Sequence, residues 1–241
     1  VEFENFHEEI KLVDSQENVK LRGKRELLLK DLKDGLEKAH DDTKKDIAKL
    51  EWFNQGSYAM KTGIEPVDGD YDIDIGIKFH IAKKDYGSVE VKQWVYDALN
   101  TGNRTVEWMR PCIRVQYHKN GKPDYHVDLA IYSASEYNAD GKTYLAKGRP
   151  TYPADEKVWE ESDPERLKEI IESHYDEPDD RRQFRRVIRY LKRWKDERFS
   201  IKGDAAPTGI AITALALKHF DYRRSTDNTE NKTYYDDLKA T

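Results

Sequence analysis

GSYAMKTGIEPVDGDYDIDIGIKF, residues 56–79, is the stretch on which the fold turns. Its second half, YDIDIGIKF from Tyr71 to Phe79, alternates polar and apolar residues with the period of two that marks a strand buried on one face. On such a strand Asp72 and Asp74 project from the same side, close enough to share ligands. Two neighbouring carboxylates repel. A divalent cation removes that cost, and Mg²⁺ in particular favours a few carboxylates supplemented by water and substrate phosphates. Taken alone, an Asp-x-Asp pair is more often a solvated surface, and the nearby Asp68 and Asp70 leave that alternative open. The first half of the stretch adds a second feature. Glycine at 56 lets backbone N–H groups converge on an anion, and the hydroxyl of Ser57 supplies one more donor. Fourteen residues separate Ser57 from Asp72.

Further along, Cys112–His118 and Tyr125–Tyr132 are both alternating and rich in β-formers, and the turn between them contains Asn120-Gly121 and Pro123. A hairpin is predicted. In its second strand Val127, Leu129 and Ile131 face one way, and His126, Asp128 and Ala130 the other. If this strand lies beside 71–79, Asp128 aims at the same spot as Asp72 and Asp74. Three carboxylates can then hold two metals ~3.5–4 Å apart, the spacing of two-metal phosphoryl-transfer sites.

Around these strands the pattern is helical. Leu21, Leu28, Leu32 and Leu36 recur among charges from about 18 to 38, and a second helical stretch is read from 42 to 50. Residues 88–99 also read as helix. Past residue 150 no strand is expected. Asp163-Pro164 opens a helix to about 174, and further helices are read over 180–199 and 207–220. The expectation is therefore an α+β fold: a core of mixed sheet and flanking helices over 1–150, including a long N-terminal helix, and a helical lobe over 151–241. The active site is expected in the cleft between them.

Composition narrows the function. Lys and Arg (42) nearly balance Asp and Glu (47), and the net charge of −5 argues against a surface that grips long nucleic acid. A single cysteine, Cys112, excludes an internal disulfide and a Cys-rich zinc site. No run approaches the ~18 apolar residues of a membrane span, and VEFENFHEEI at the start is not a signal peptide. A cytoplasmic protein is expected, with its N-terminus processed or incomplete because the first residue is not Met.

Together, Gly-Ser, the strand DYDIDIGIKF, HVDLAIY and the helix segment RVIRYLKRWKD resemble the polymerase-β-type nucleotidyltransferases. More narrowly they resemble the cyclic GMP–AMP synthase/DncV-like enzymes, the bacterial cyclic-oligonucleotide synthases of phage defence. The resemblance implies a polymerase-β-like core. It also implies that Gly56 and Ser57 cradle the donor's β- and γ-phosphates, and that Asp72 and Asp74 hold both metals. Asp128 would complete the acceptor-side metal site and help deprotonate the attacking ribose hydroxyl. Lys192, followed two residues later by Trp194, would reach the donor triphosphate. Thr208, in Ala206-Pro207-Thr208-Gly209, stands where relatives often carry serine. The implied cofactor is Mg²⁺ as two ions, with Mn²⁺ an alternative.

The implied partners are nucleoside triphosphates, ATP foremost, and a separate effector that senses the product. Neither membrane binding nor zinc-dependent DNA binding is expected. By the same comparison the helical lobe stops short at Thr241. The remaining cations of 180–199 read as a solvated helix face, Phe184, Val187, Ile188, Leu191 and Trp194 as its core stripe, and His7 as a packing or capping residue. The function expected is condensation of nucleoside triphosphates into a cyclic di- or trinucleotide signal. Transfer of one nucleotide to a small molecule, protein or RNA end, an inactive nucleotide-binding regulator or sensor, and a structural interaction module are the alternatives.

Overall fold

The alternation over 71–79 becomes an inner strand of a mixed sheet in the computed structural model, which describes residues 2–12, 16–43, 49–67, 70–101, 104–199 and 205–221. In chain order the elements are α1 (Glu2–Ile10), α2 (Gln16–Thr43), β1 (Leu50–Asn54), α3 (Gly56–Ala59), β2 (Tyr71–Phe79), α4 (Ser88–Leu99), β3 (Thr105–Trp108), β4 (Cys112–Lys119), β5 (Lys122–Ser133), β6 (Tyr144–Lys147), β7 (Val158–Glu161), α5 (Pro164–Ser173), α6 (Pro178–Arg198) and α7 (Gly209–His219). Contacts gather these into two units. A sheet unit comprises 16–55 and 69–164, and a helical unit comprises 1–15, 56–68 and 165–241.

In the sheet unit the strand order is β1-β2-β5-β4-β3, with β6 joining β5 to β7. β2 and β5 run parallel, while the other pairs are antiparallel. One parity of each central strand is apolar. Ile73, Ile75, Ile77 and Phe79 of β2, and Val127, Leu129 and Ile131 of β5, are buried against Leu28, Leu32 and Leu36 of α2 and Val91, Val95 and Leu99 of α4. The leucine stripe read from the sequence therefore covers the sheet's apolar face, and the polar parity is left on the other. The β4–β5 hairpin turns at Asn120 (φ 53) and Gly121 (φ 76). Both φ values are positive, as a two-residue type I′ turn requires, and Asn-Gly supplies them at least cost.

Several elements differ from the sequence reading. Leu50 opens strand β1 rather than closing a helix; α2 runs to Thr43, and residues 44–48 lie outside the described residues. Strand β7 lies beyond residue 150, and β3, β6 and β7 are each four residues long, too short to show a period. The division is also not a single cut near 150, because the first fifteen residues and 56–68 group with the C-terminal helices.

The helical unit has its own core of Met60, Ile171, Phe184, Ile188 and Ala216. The apolar stripe of α6 is buried at Phe184, Val187 and Ile188, but Trp194 is half exposed and meets Phe199 edge-on at 5.8 Å. α1 packs on α6 by stacking Phe6 on Tyr190, with ring centroids 5.9 Å apart. Among the described residues no helix is long and apolar enough to cross a membrane.

Helix α2 crosses α4 at Gly35, where an added Cβ would stand 2.6 Å from the Ala98 carbonyl oxygen and 2.9 Å from its Cα. Both are backbone-anchored, so neither can yield without moving α4. Gly35→Ala should therefore destabilise the protein by roughly 1–3 kcal/mol, although alanine gains ~1 kcal/mol in helix propensity. A lower urea midpoint at unchanged slope is the expected result.

Candidate active site

The parallel pairing of β2 with β5 sets Asp72 beside His126 and Asp74 beside Asp128 as Cα partners. On the other side of β5, antiparallel β4 sets Arg114 against Asp128 and Gln116 against His126. All share the sheet face opposite the apolar core, because their parity is opposite to that of Ile73, Ile75, Val127 and Leu129. Four carboxylates, Asp70, Asp72, Asp74 and Asp128, are thus collected on one face.

Two cations hold part of this charge. Arg114 donates from Nε to Asp128 Oδ1 at 2.7 Å and from Nη2 to Oδ2 at 2.8 Å, a bidentate pair in which the side chains are 26% and 15% exposed. The hydrogen bond to Asp128 raises the Arg114 pKa against the opposing effect of burial. His126 lies between two acids, with Nε2 3.1 Å from Asp72 Oδ1 and Nδ1 3.2 Å from Asp70 Oδ2. Burial, the largest single effect, pulls its pKa down, but the hydrogen bonds and charge of Asp72, with help from Asp70, carry it to about 9. The ring is therefore an imidazolium at neutral pH. Gln116 Nε2 donates to Asp70 Oδ1 at 3.2 Å and ties the same edge together.

Asp72, His126 and Asp128 each offer a ligand atom, and these atoms lie within 4.8 Å of one another. Asp74, expected as the third ligand, is outside that group, one register step along β2 and opposite Asp128. Its carbonyl accepts from the Gln55 N–H at 3.2 Å, and Gln55 Oε1 in turn accepts from the Tyr132 hydroxyl at 2.9 Å. Burial first, and then the charge of Asp74, push the Tyr132 pKa up. Next on the same parity is Gly76, with the Phe53 ring lying directly over it; a Cβ there would fall 2.1 Å from that ring. The donor chemistry fits a divalent cation: hard carboxylate oxygens on a rigid strand pair, with excess negative charge. Loading it would require Asp128 to share an oxygen held by Arg114, and His126 either to step back or to lose a proton.

The remaining expected residues sit in the helical unit. Gly56 takes φ +62, a left-handed conformation that favours glycine, and opens the single turn of α3. Met60 N–H donates to the Gly56 carbonyl at 3.2 Å, and Thr62 N–H to the Ser57 carbonyl at 2.9 Å. Lys192 is buried, and its Nζ donates to Thr62 O at 2.9 Å and Thr62 Oγ1 at 3.2 Å. Arg189 and Arg193 flank it on α6 and donate to the carbonyls of Lys61 at 2.6 Å and Glu65 at 2.7 Å. Three cations of one helix thus hold the segment that follows Gly56-Ser57. The Thr208 hydroxyl caps α7, accepting from Ala211 N–H at 3.2 Å. So Asp72 and Asp128 meet, joined by His126, and Asp74 neighbours Asp128. Separately, Ser57 and Lys192 are linked through Thr62.

His126 and Arg114 have no role in the sequence reading. Alternation places His126 on the Asp128 face, but the partner of Asp128 on β4 becomes visible only once the hairpin register is known. Replacing Arg114 by Met leaves a half-buried carboxylate without its counter-ion, so Arg114→Met should cost about 2 kcal/mol. Asp128→Asn in the same chain should recover part of that loss, giving a coupling of roughly 1–3 kcal/mol in a double-mutant cycle read by urea denaturation.

A family model described as cyclic GMP-AMP synthase DncV-like, nucleotidyltransferase domain, matches residues 50–132, the segment that carries β1, β2, β4 and nearly all of β5. A cyclic GMP-AMP synthase of Escherichia albertii is 29% identical over 180 residues, which cover 70% of this chain but 37% of that protein. The chain thus spans little more than a third of that relative's length. Among solved structures, the GTP-bound form of Vibrio cholerae DncV superposes with a TM-score of 0.70 at 18% identity, covering 98% of this chain and 74% of that one. Escherichia coli DncV in its 3'-deoxy GTP bound form gives 0.66 at 16% identity, covering 94% and 71%. At such identities the likeness speaks for the fold, and the fold is the expected polymerase-β-like nucleotidyltransferase fold. With the domain match over 50–132, the chain is similar to the cyclic GMP-AMP synthase/DncV-like nucleotidyltransferases.

Proposed function

We propose that this protein is a metal-dependent nucleotidyltransferase that condenses nucleoside triphosphates into a cyclic di- or trinucleotide and releases pyrophosphate. The observation that carries the reading is the register of β2 on β5, which sets Asp72 beside His126 and Asp74 beside Asp128 on one face. Asp72, Asp74 and Asp128 would hold the divalent ions, Mg²⁺ or Mn²⁺. When bound, such ions neutralise charge at the α-phosphate and make the acceptor hydroxyl more acidic. Asp128 would act as the base: released from Arg114, one of its oxygens can take the hydroxyl proton. The Gly56–Thr62 turn, with Ser57 and Lys192, would hold the donor's β- and γ-phosphates through N–H, hydroxyl and ammonium donors.

Supporting the cyclising activity over a single transfer is the relative from Escherichia albertii, a cyclic GMP-AMP synthase, aligned over 70% of this chain. Vibrio cholerae DncV, which shares the fold, has been solved with the linear intermediate 5' pppA(3',5')pG. ATP is the first candidate substrate. By family analogy the product would signal to a separate effector in bacterial antiphage defence, within the cytoplasm.

Incubation with the four nucleoside triphosphates and Mg²⁺, followed by mass spectrometry, tests the reading. Cyclic products and pyrophosphate are expected, and a chelator should abolish both. Asp72→Asn and Asp128→Asn should each lower the rate by ~10²-fold or more while the protein stays folded. Undiminished product from either variant would overturn the assignment. A single nucleotide appended to another molecule would replace cyclisation with simple transfer.

A further inference from the structure

His7 is buried on α1 at 7% exposure, although nothing in the proposed chemistry uses it. Its Nε2 lies 3.3 Å from Arg189 Nη1. A guanidinium can only donate, so Nε2 must be bare and accept. The ring proton then sits on Nδ1, which is 3.3 Å from Glu8 Oε1. The second arm of Arg189 donates to the Lys61 carbonyl at 2.6 Å. Lys61 has φ +57, a left-handed conformation that a lysine keeps only when its neighbours hold it. The residue closes the turn that begins at Gly56. Arg189 is itself 7% exposed, and its Nε is buried without a hydrogen-bond partner, so the direction of the guanidinium rests on these two bonds among the described residues.

We infer that His7 is a positioning residue: by accepting from Arg189 it aims that guanidinium at the Lys61 carbonyl and so fixes the Gly56–Thr62 turn for nucleotide phosphates. This rests on the reading of Gly56-Ser57 as the phosphate loop. His7 acts through Arg189 and does not touch the substrate. The role requires a neutral imidazole, because a proton on Nε2 would set two donors against each other. The surroundings keep it neutral. Burial foremost, then the charge of Arg189, and further on that of Arg186, lower its pKa from 6.5, against the opposing pull of Glu8. Tyr190 of α6 closes the site edge-on at 6.0 Å, and Glu8 is shared with Lys11. With the folded pKa depressed, the contribution is complete above 6.5 and is lost as the pH falls through the lowered value.

Four full-length proteins decide the matter: wild type, His7→Ala, His7→Gln and Ser57→Ala. Each is titrated with Mg–ATP by calorimetry at neutral pH and at about pH 5, with thermal unfolding recorded alongside. His7→Ala should weaken ATP binding roughly tenfold, whereas His7→Gln, which keeps an uncharged acceptor, should stay within about threefold of wild type. Acidification should weaken wild type more than His7→Gln; titration of ATP itself affects both alike. If Ser57→Ala weakens binding but His7→Ala does not, His7 is packing alone and the inference fails. It fails equally if wild type and His7→Gln respond identically to acid, or if His7→Gln loses as much affinity as His7→Ala. Wild-type affinity in Ser57→Ala would instead remove the phosphate-loop reading, and the inference with it.

Discussion

Strand β2 lies parallel to β5 in a register that opposes Asp74 to Asp128, and the rest of the candidate site depends on that pairing. The carboxylates do not cause it, since they repel one another. The cause lies on the other face, where Ile73, Ile75 and Ile77 of β2 and Val127, Leu129 and Ile131 of β5 are buried under α2 and α4. Burying six such side chains contributes on the order of 10 kcal/mol, against a few kcal/mol of repulsion between carboxylates at a wet surface. A slip of one residue would turn Asp128 into the core and Val127 out of it, so the apolar face forbids it. Hydrophobic packing thus holds an arrangement of charges that electrostatics alone would disperse.

The stored repulsion has a consequence for ligand binding. Arg114 and His126 supply two positive charges among four carboxylates, so the face is partly neutralised and keeps a surplus of negative charge. The surplus favours a divalent cation. The two internal cations oppose it, because each already occupies an oxygen that the ion would want. Binding is then an exchange rather than a simple addition, and the bidentate grip of Arg114 on Asp128 decides how much of the repulsion is left to drive it. Gly76, on the same parity, acts by absence: with no side chain, it leaves room for the tip of the Phe53 ring, which a Cβ there would meet.

How much of this could be read in advance follows the range of the interactions. Alternation is local, so the strand at 71–79, the β4–β5 hairpin with its Asn-Gly turn, and the α2 leucine stripe were all legible. The shared parity of Asp72, Asp74 and Asp128 was legible with them, given adjacent strands. The four-residue strands β3, β6 and β7 carry too little period to be recognised, and β1 was hidden because Leu50 and Trp52-Phe53 followed a highly charged helical stretch. Arg114 could not be paired with Asp128 without the hairpin register. The grouping of 1–15 and 56–68 with the C-terminal helices rests on contacts more than a hundred residues apart, such as His7 with Arg189 and Thr62 with Lys192. Trp194 sits near the apolar stripe on a helical wheel yet is half exposed, since periodicity marks a face and does not say how far its cover extends.

The helical unit reverses the electrostatics of the sheet unit. Arg189 and Arg193 donate to the carbonyls of Lys61 and Glu65, and among the described residues neither forms an ion pair with a carboxylate. A carbonyl offers a partial charge, so it satisfies the donor without cancelling the cation. Burying a guanidinium on such terms is costly, and burial together with neighbouring arginines drags the Arg189 pKa down to about 10. That cost has to be outweighed by packing elsewhere in the unit. It leaves positive charge beside the segment that starts at Gly56-Ser57, the segment proposed to hold phosphates. A carboxylate partner in the same place would have stabilised the unliganded protein more, but it would also have removed that charge. Elsewhere on α6 Arg182 and Lys195 pair with Asp179 and Asp196, so it is the carbonyl partners of Arg189 and Arg193 in particular that leave charge for the anion proposed at this segment.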